Sequence, residues 1–93
     1  MEFEWDAVKE AENVKRHGVM FREAVETFFD KKGFQMVDQK HSQNESRFYW
    51  IGKSSGNRVL TTRFTRRGTV VRIIGCAEWR QFRRLYYETT QNE

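Results

Sequence analysis

The chain contains no proline and a single cysteine, Cys76. Without proline, and without any low-complexity stretch, no linker divides the 93 residues, which reads as one domain over residues 1–93. A lone cysteine excludes an internal disulfide and suits a reducing compartment, so a cytoplasmic protein is expected. No apolar run approaches the ~18 residues that a membrane-spanning helix needs, and no basic-then-apolar leader opens the chain. A soluble protein with no membrane partner follows as the expectation. Two histidines and one cysteine, far apart in sequence, match no zinc spacing. Glycine-rich phosphate loops are absent as well, so neither a metal nor a nucleotide cofactor is expected.

Positive charge is what the chain has in excess. Seventeen basic residues face 13 acidic ones, for a net charge of +4. That balance favours an anionic partner, either nucleic acid or an acidic protein segment.

The organising stretch is Arg58 to Gly75. Two runs rich in β-branched residues flank Arg67-Gly68, the signature of a β-hairpin. With Arg67 and Gly68 as the central turn residues, Phe64 pairs with Val71, Thr62 with Ile73 and Leu60 with Gly75, on a face meant for the core. The opposite face then sets Arg63 directly across from Arg72. Two like charges in that relation repel, and an anion between them would relieve the repulsion. A solvated surface pair is the other reading.

Upstream, Glu2 to Trp5 alternates as a short strand. Asp6 is placed to cap a helix carrying Ala7, Ala11 and Val14 at helical spacing, and Gly18 to end it. A second helix is predicted over Phe21–Asp30, with Phe21, Ala24, Val25, Phe28 and Phe29 on one apolar face. Phe34–Val37 and Arg47–Lys53 read as strands around a polar loop holding His41 and Glu45. In the second of these strands Phe48 and Trp50 share one face, and Arg47, Tyr49, Ile51 and Lys53 the other. The third helix is expected from Cys76 to about Thr89. Trp79, Phe82 and Tyr86 form its core stripe, and Arg80, Arg83, Arg84 and Tyr87 a basic one. That basic stripe suits a solvated face or a contact with phosphate or a partner. At the strand-to-helix junction Cys76 fits a small buried hydrophobe better than a nucleophile, since no base lies near it in sequence.

The expected architecture is α+β: a mostly antiparallel sheet, two N-terminal helices packed on one face, and the C-terminal helix at an edge. Such a chain can support RNA cleavage without a metal. A base takes the 2′-hydroxyl proton, an acid serves the leaving oxygen, and cations hold the phosphorane charge. His41, Glu45, Arg63, Arg72 and Arg80 are the candidates for catalysis. Arg47 and Lys53 could hold phosphates, and Tyr49 and Tyr87 could stack bases.

The residues also resemble a known family. Phe3-Glu4-Trp5-Asp6, Lys9, Asn13 and Lys15-Arg16-His17-Gly18-Val19 match its opening pattern. Phe21, Glu23, Ala24, Phe28 and Asp30 follow, then His41, Ser42, Glu45, Arg47 and Gly52-Lys53-Ser54. Arg58, Leu60, Thr65, Arg67, Arg72-Ile73-Ile74, Gly75, Trp79-Arg80, Tyr87 and Glu88 complete it. The chain resembles BrnT, the toxin half of the BrnT/BrnA type II toxin–antitoxin systems, whose fold is similar to RelE ribonucleases. It departs from the pattern at Gly75-Cys76-Ala77, where many members carry Ser-Ala-Arg, and at Met20, where a serine or threonine cap is usual. The resemblance implies a toxin that inhibits growth by cleaving RNA. Its partner would be a BrnA-like ribbon-helix-helix antitoxin, whose dimer would carry two toxins and alone reach operator DNA. Arg80, Arg83 and Arg84, or the open strands, would meet that antitoxin. A non-catalytic, toxin-like binding module acting with its antitoxin at the operator is the alternative reading.

Overall fold

The computed structural model describes residues 1–91. Five strands form one mixed sheet in the order β1-β5-β4-β3-β2. They are β1 (Glu2–Glu4), β2 (Phe34–Val37), β3 (Arg47–Lys53), β4 (Val59–Arg67) and β5 (Val70–Ala77). Three helices accompany them: α1 (Ala7–His17), α2 (Phe21–Thr27) and α3 (Arg80–Gln91). The three pairings among β2, β3, β4 and β5 are antiparallel, whereas β1 runs parallel to β5. The first strand can reach the last one in parallel because the whole remainder of the chain serves as the crossover.

Alternation puts two different surfaces on the sheet. Leu60, Phe64, Val71, Ile73 and Cys76 face α2 and are buried with Val19, Phe21 and Ala24. Phe28 closes this core, stacked on Trp50 at 5.2 Å and edge-on to Phe64 at 5.2 Å. On the other surface Ile51 and Val59 are buried beneath Tyr86, with Tyr49, Phe82 and Tyr87 packed around them. α3 therefore crosses that second surface, in contact with β3 and β4, and does not sit at an edge. Its Phe82 and Tyr86 stripe needs an apolar seat, and Ile51 and Val59 supply one; Trp79, predicted in the same stripe, precedes the helix and packs on Tyr49 and Phe82.

α1 docks differently from its predicted apolar face. Ala7, Ala11 and Val14 are exposed, and the one buried residue of the helix is Asn13. The Asn13 carboxamide donates to the carbonyl oxygens of Cys76 and Val19, both at 2.9 Å, and accepts from the Cys76 N–H at 3.0 Å. β1 pairs only with residues 70–72 of β5. Beyond it, the Asn13 amide satisfies the Cys76 backbone as a neighbouring strand would. Glu10 adds the second tie, accepting from Trp5 Nε1 at 3.2 Å and from the Phe21 N–H at 2.8 Å. The helix ends are as expected: Asp6 accepts from the Val8 and Lys9 amides, and Gly18 closes the helix at φ 68°.

α2 stops at Thr27, three residues earlier than its periodicity predicts. Phe28 still turns inward, but Phe29 is 69% exposed. The reason lies in Asp30. Freed from the helix, its carboxylate accepts from the Lys32 and Lys53 amides at 3.0 and 2.8 Å and from the Tyr86 hydroxyl at 2.6 Å. Burial pushes the Asp30 carboxyl up, and these hydrogen bonds more than offset it, leaving it below its ordinary value. Met20 takes the extended N-cap conformation of α2 without a side-chain hydrogen bond.

The β4–β5 hairpin has a different register from the predicted one. Arg67 pairs with Val70, so Gly68 and Thr69 are the central turn residues, with Gly68 at φ 61°. A two-residue turn with positive φ at its first position matches the strand twist, and glycine adopts that conformation without cost. Phe64 consequently pairs with Ile73. Between Phe64 and Arg63 the register shifts again, so that Arg63 pairs with Gly75 and Thr62 with Cys76. Ile74 is the extra residue of a β-bulge. Arg63 and Arg72 are thus not cross-strand partners; Arg72 lies opposite Thr65. Cys76 and Ala77 belong to β5 and not to α3.

Candidate functional site

Because α3 covers only part of the second surface, the end of the sheet nearest the polar loop stays open. Register defines its rows. Arg47, Thr65, Arg72 and Glu4 lie side by side across β3, β4, β5 and β1; the next row holds Met36, Tyr49, Arg63 and Gly75. Three arginines and a tyrosine, all half-buried, thus share one face of the sheet, because alternation aims them away from the Phe64 core.

Asp38 anchors the loop beside this area. It extends β2 through a bond from its N–H to the Arg47 carbonyl at 2.8 Å, and its side chain is buried. Its carboxylate meets His41 Nδ1 at 2.9 Å. Ser42 fixes the same turn: its hydroxyl donates to the Asp38 carbonyl at 2.6 Å and accepts from the Arg47 amide at 2.9 Å. At the loop's far end the Thr65 hydroxyl donates to the Ser46 carbonyl at 2.8 Å. The result is a hollow of about 460 Å³ whose rim carries Lys40, His41, Glu45 and Arg47. With Nδ1 engaged by Asp38, the Nε2 atom of His41 is the ring nitrogen left for a substrate.

Tyr49 joins the hollow to the rest of the face. Burial raises its hydroxyl pKa first, the Asp38 carboxylate raises it further, and the Arg63 charge partly offsets both. The phenol is therefore a neutral donor at physiological pH. Its ring packs against Trp79, just before α3, and Phe82 of α3, with centroids at 5.7 and 5.3 Å. Arg63, across from Tyr49, has its Nε buried without a hydrogen-bond partner among the described residues. Such an atom is costly to leave bare, which makes this guanidinium ready for an acceptor.

The sequence candidates fall into four groups. His41, Glu45 and Arg47 share the hollow, and Tyr49 and Arg63 adjoin it. Arg72 is on the same face but pairs with Glu4, so part of its charge is neutralised. Lys53 and Tyr87 are remote. The Lys53 ammonium lies 5.1 Å from the Tyr87 ring and 6.0 Å from that of Tyr86, at the end of the sheet that α3 covers. Arg80, Arg83 and Arg84 line the exposed side of α3. Cys76 is not a nucleophile in waiting: burial pushes its thiol up to about 12, and Thr62 Oγ1 lies 3.3 Å from its sulfur. Among the described residues no group of three histidine, cysteine, aspartate or glutamate side chains could hold a metal ion.

Comparison with known proteins agrees with this architecture. Residues 5–81 match the family model described as the ribonuclease toxin BrnT of type II toxin–antitoxin systems. The chain belongs to the BrnT family. A 1.1 Å crystal structure of the Brucella abortus ribonuclease toxin BrnT superposes with a TM-score of 0.64 at 22% sequence identity. The match covers 85% of this chain and 96% of that one. No curated protein matches the chain. Membership of a type II toxin family implies an antitoxin partner and an RNA target.

Within this BrnT chain, sequence reasoning missed Asp38, which positions His41, and Asn13, which holds α1 to β5. One signal was present for the first: Asp38 precedes His41 by three residues, close enough for one turn to join them. For Asn13 the family pattern marked the position but not its role, because its partner is 63 residues away. The Gly75-Cys76-Ala77 departure falls at the end of β5, where Cys76 and Ala77 are buried.

Proposed function

We propose that this protein is the toxin of a type II toxin–antitoxin pair and acts as a metal-independent endoribonuclease at the hollow beside the open end of its sheet. The observation that carries this reading is His41, held through Nδ1 by a buried aspartate, with Arg47 on the same rim and Arg63 nearby. His41 Nε2 takes the proton of a ribose 2′-hydroxyl, and that oxygen attacks the adjacent phosphorus. Arg47 and Arg63 hold the charge that builds on the phosphorane oxygens, a task suited to their planar donor forks. Glu45, an acceptor on the rim, orients the water that protonates the departing 5′ oxygen, and the proton held by His41 then passes to the hydroxide left behind, which restores both the water and the neutral imidazole. The products are a 2′,3′-cyclic phosphate and a 5′-hydroxyl end.

A BrnA-like ribbon-helix-helix antitoxin would neutralise the toxin, with Arg80, Arg83 and Arg84 meeting its acidic segments. Operator DNA is reached only through the antitoxin, whose dimer carries two toxins. An RNA target suits a protein that acts in the cytoplasm.

Cleavage of a defined single-stranded RNA by purified protein tests the reading. His41→Asn should slow cleavage about 10²- to 10⁴-fold, the usual contribution of a general base, at unchanged thermal stability. A chelator should change nothing. A His41→Asn protein that cleaves at the original rate would overturn the assignment. Antitoxin association should slow with added salt and with Arg83→Ala/Arg84→Ala, because rim charges act mainly on the on-rate.

A further inference from the structure

A second cavity opens on the same face, away from the loop. It measures about 210 Å³ and lies between α1, the end of β5 and the start of α3. Lys9, Glu12, Arg16 and His17 reach it from α1, Arg63 from β4, and Trp79 from the segment leading into α3. Three permanent cations therefore face one carboxylate. None of the three is in an ion pair among the described residues. Arg63 brings the buried Nε that has no partner, and it is shared: its neighbour across β3 is Tyr49, whose ring touches Trp79 and whose hydroxyl senses Asp38. Arg63 thus lines the cleft, and Tyr49, paired with it on β3, stands two residues from Arg47 of the loop hollow on the same sheet face.

We propose that this cleft is a nucleotide subsite, holding one residue of the RNA strand that flanks the bond to be cut. Lys9, Arg16 and Arg63 take its phosphate and the Trp79 indole stacks on its base. Cations beside an aromatic side chain that lines the same cleft are what a single-stranded polynucleotide requires; Trp79 is half-buried against Tyr49 and Phe82, and the part that lines the cleft is what a base would meet. The volume suits one nucleotide component and not a longer segment. The inference rests on the ribonuclease reading and adds a second point of contact to it.

The test uses the full chain and a fluorescently labelled six-residue RNA carrying 2′-O-methyl groups throughout, which cannot be cleaved. Binding is read by anisotropy across a salt series. Lys9→Ala/Arg16→Ala should weaken binding roughly ten-fold and make the salt dependence shallower by one to two released counterions. Trp79→Leu should weaken it about five-fold or more, with Trp79→Phe recovering part of the loss. Lys31→Ala/Lys32→Ala, which removes equal charge from the α2–β2 turn, should leave binding within two-fold. Lys9 and Arg16 are exposed, so their replacement leaves the fold intact, which melting curves verify. If the two double variants bind equally well, the subsite is overturned while the ribonuclease reading stands. If the unaltered protein does not bind the oligonucleotide, both fall. Binding that depends on the cleft, without any RNA cleavage by the unaltered protein, keeps the subsite and removes the catalytic reading. A hexaglutamate peptide bound with the same dependence on Trp79 would overturn the subsite in favour of an acidic protein segment.

Discussion

The two surfaces of the sheet come from the same strands and have opposite characters. Toward α2, Leu60, Phe64, Val71 and Ile73 meet Phe21, Ala24 and Phe28, and the surface is closed. Toward α3, coverage ends at Tyr49 and Phe82, and the remaining rows carry Arg47, Arg63 and Arg72. A strand can serve both because its side chains alternate. The closed surface supplies stability by burial. The open one keeps its arginines half-exposed, with Arg72 offset by Glu4, and so it is the surface that can be used for binding.

Changes on the closed surface should therefore alter folding and activity together, while changes on the open surface should alter activity alone. The largest effect is expected from Phe64→Ala. It removes a fully buried ring that touches Phe28 and Phe48, and should cost about 3–5 kcal/mol of stability, read from urea unfolding. Loss below 1 kcal/mol would mean that the closed surface is not the main core.

Asn13→Ala comes next. It strands the buried Cys76 amide and removes two further hydrogen bonds, so a loss of about 2 kcal/mol or more is expected, with α1 loosening first in hydrogen exchange. Unchanged protection of the Cys76 amide would contradict the role given to Asn13.

Acid sharpens the contrast further. Arg58 donates to Glu23 through two nitrogens and holds its carboxyl below the ordinary 4.5, with Ser54 assisting at 2.8 Å; Asp30 is also lowered. Groups depressed in the folded state stabilise it above their unfolded pKa. That contribution is lost as pH falls below 4.5 through the depressed folded values. Melting temperature should drop over that interval, and Glu23→Gln should flatten the drop. An equally steep acid limb in Glu23→Gln would assign it to other carboxylates.

The smallest stability effect is expected from Arg72→Gln. Its partner is Glu4, and both side chains are partly exposed at 26% and 41%, so the ion pair should be worth no more than about 1 kcal/mol. RNA binding should nonetheless weaken, since a cation leaves the open surface. A double-mutant cycle with Glu4→Gln isolates the pair. Marked destabilisation by Arg72→Gln would return this arginine to the scaffold.

Local physics made much of this protein readable in its sequence. The Asp6 cap, the Gly18 stop and the Phe82 and Tyr86 stripe depend on neighbours within a few residues and lie where the pattern put them, whereas Trp79 precedes the helix it was assigned to. The strand faces were also legible, for an instructive reason. The actual hairpin register differs from the predicted one by two residues near the turn, and a slip of two leaves every side chain on its original face. Periodicity therefore identified Phe64 and Ile73 as core while misplacing their partners. The same insensitivity put Arg63 opposite Arg72. The docking of α1 through Asn13 and Glu10, and the early end of α2 at Thr27 that frees Asp30 for Tyr86, were set by contacts that reach beyond the local segment. Such polar pairs leave no periodic trace. The candidate site divides in the same way: alternation alone aimed Arg47, Tyr49 and Arg63 at one surface, but only the folded sheet brought Asp38 beneath His41 and beside Tyr49, because that required β2 to pair with β3 and the loop to turn back on its own first residue.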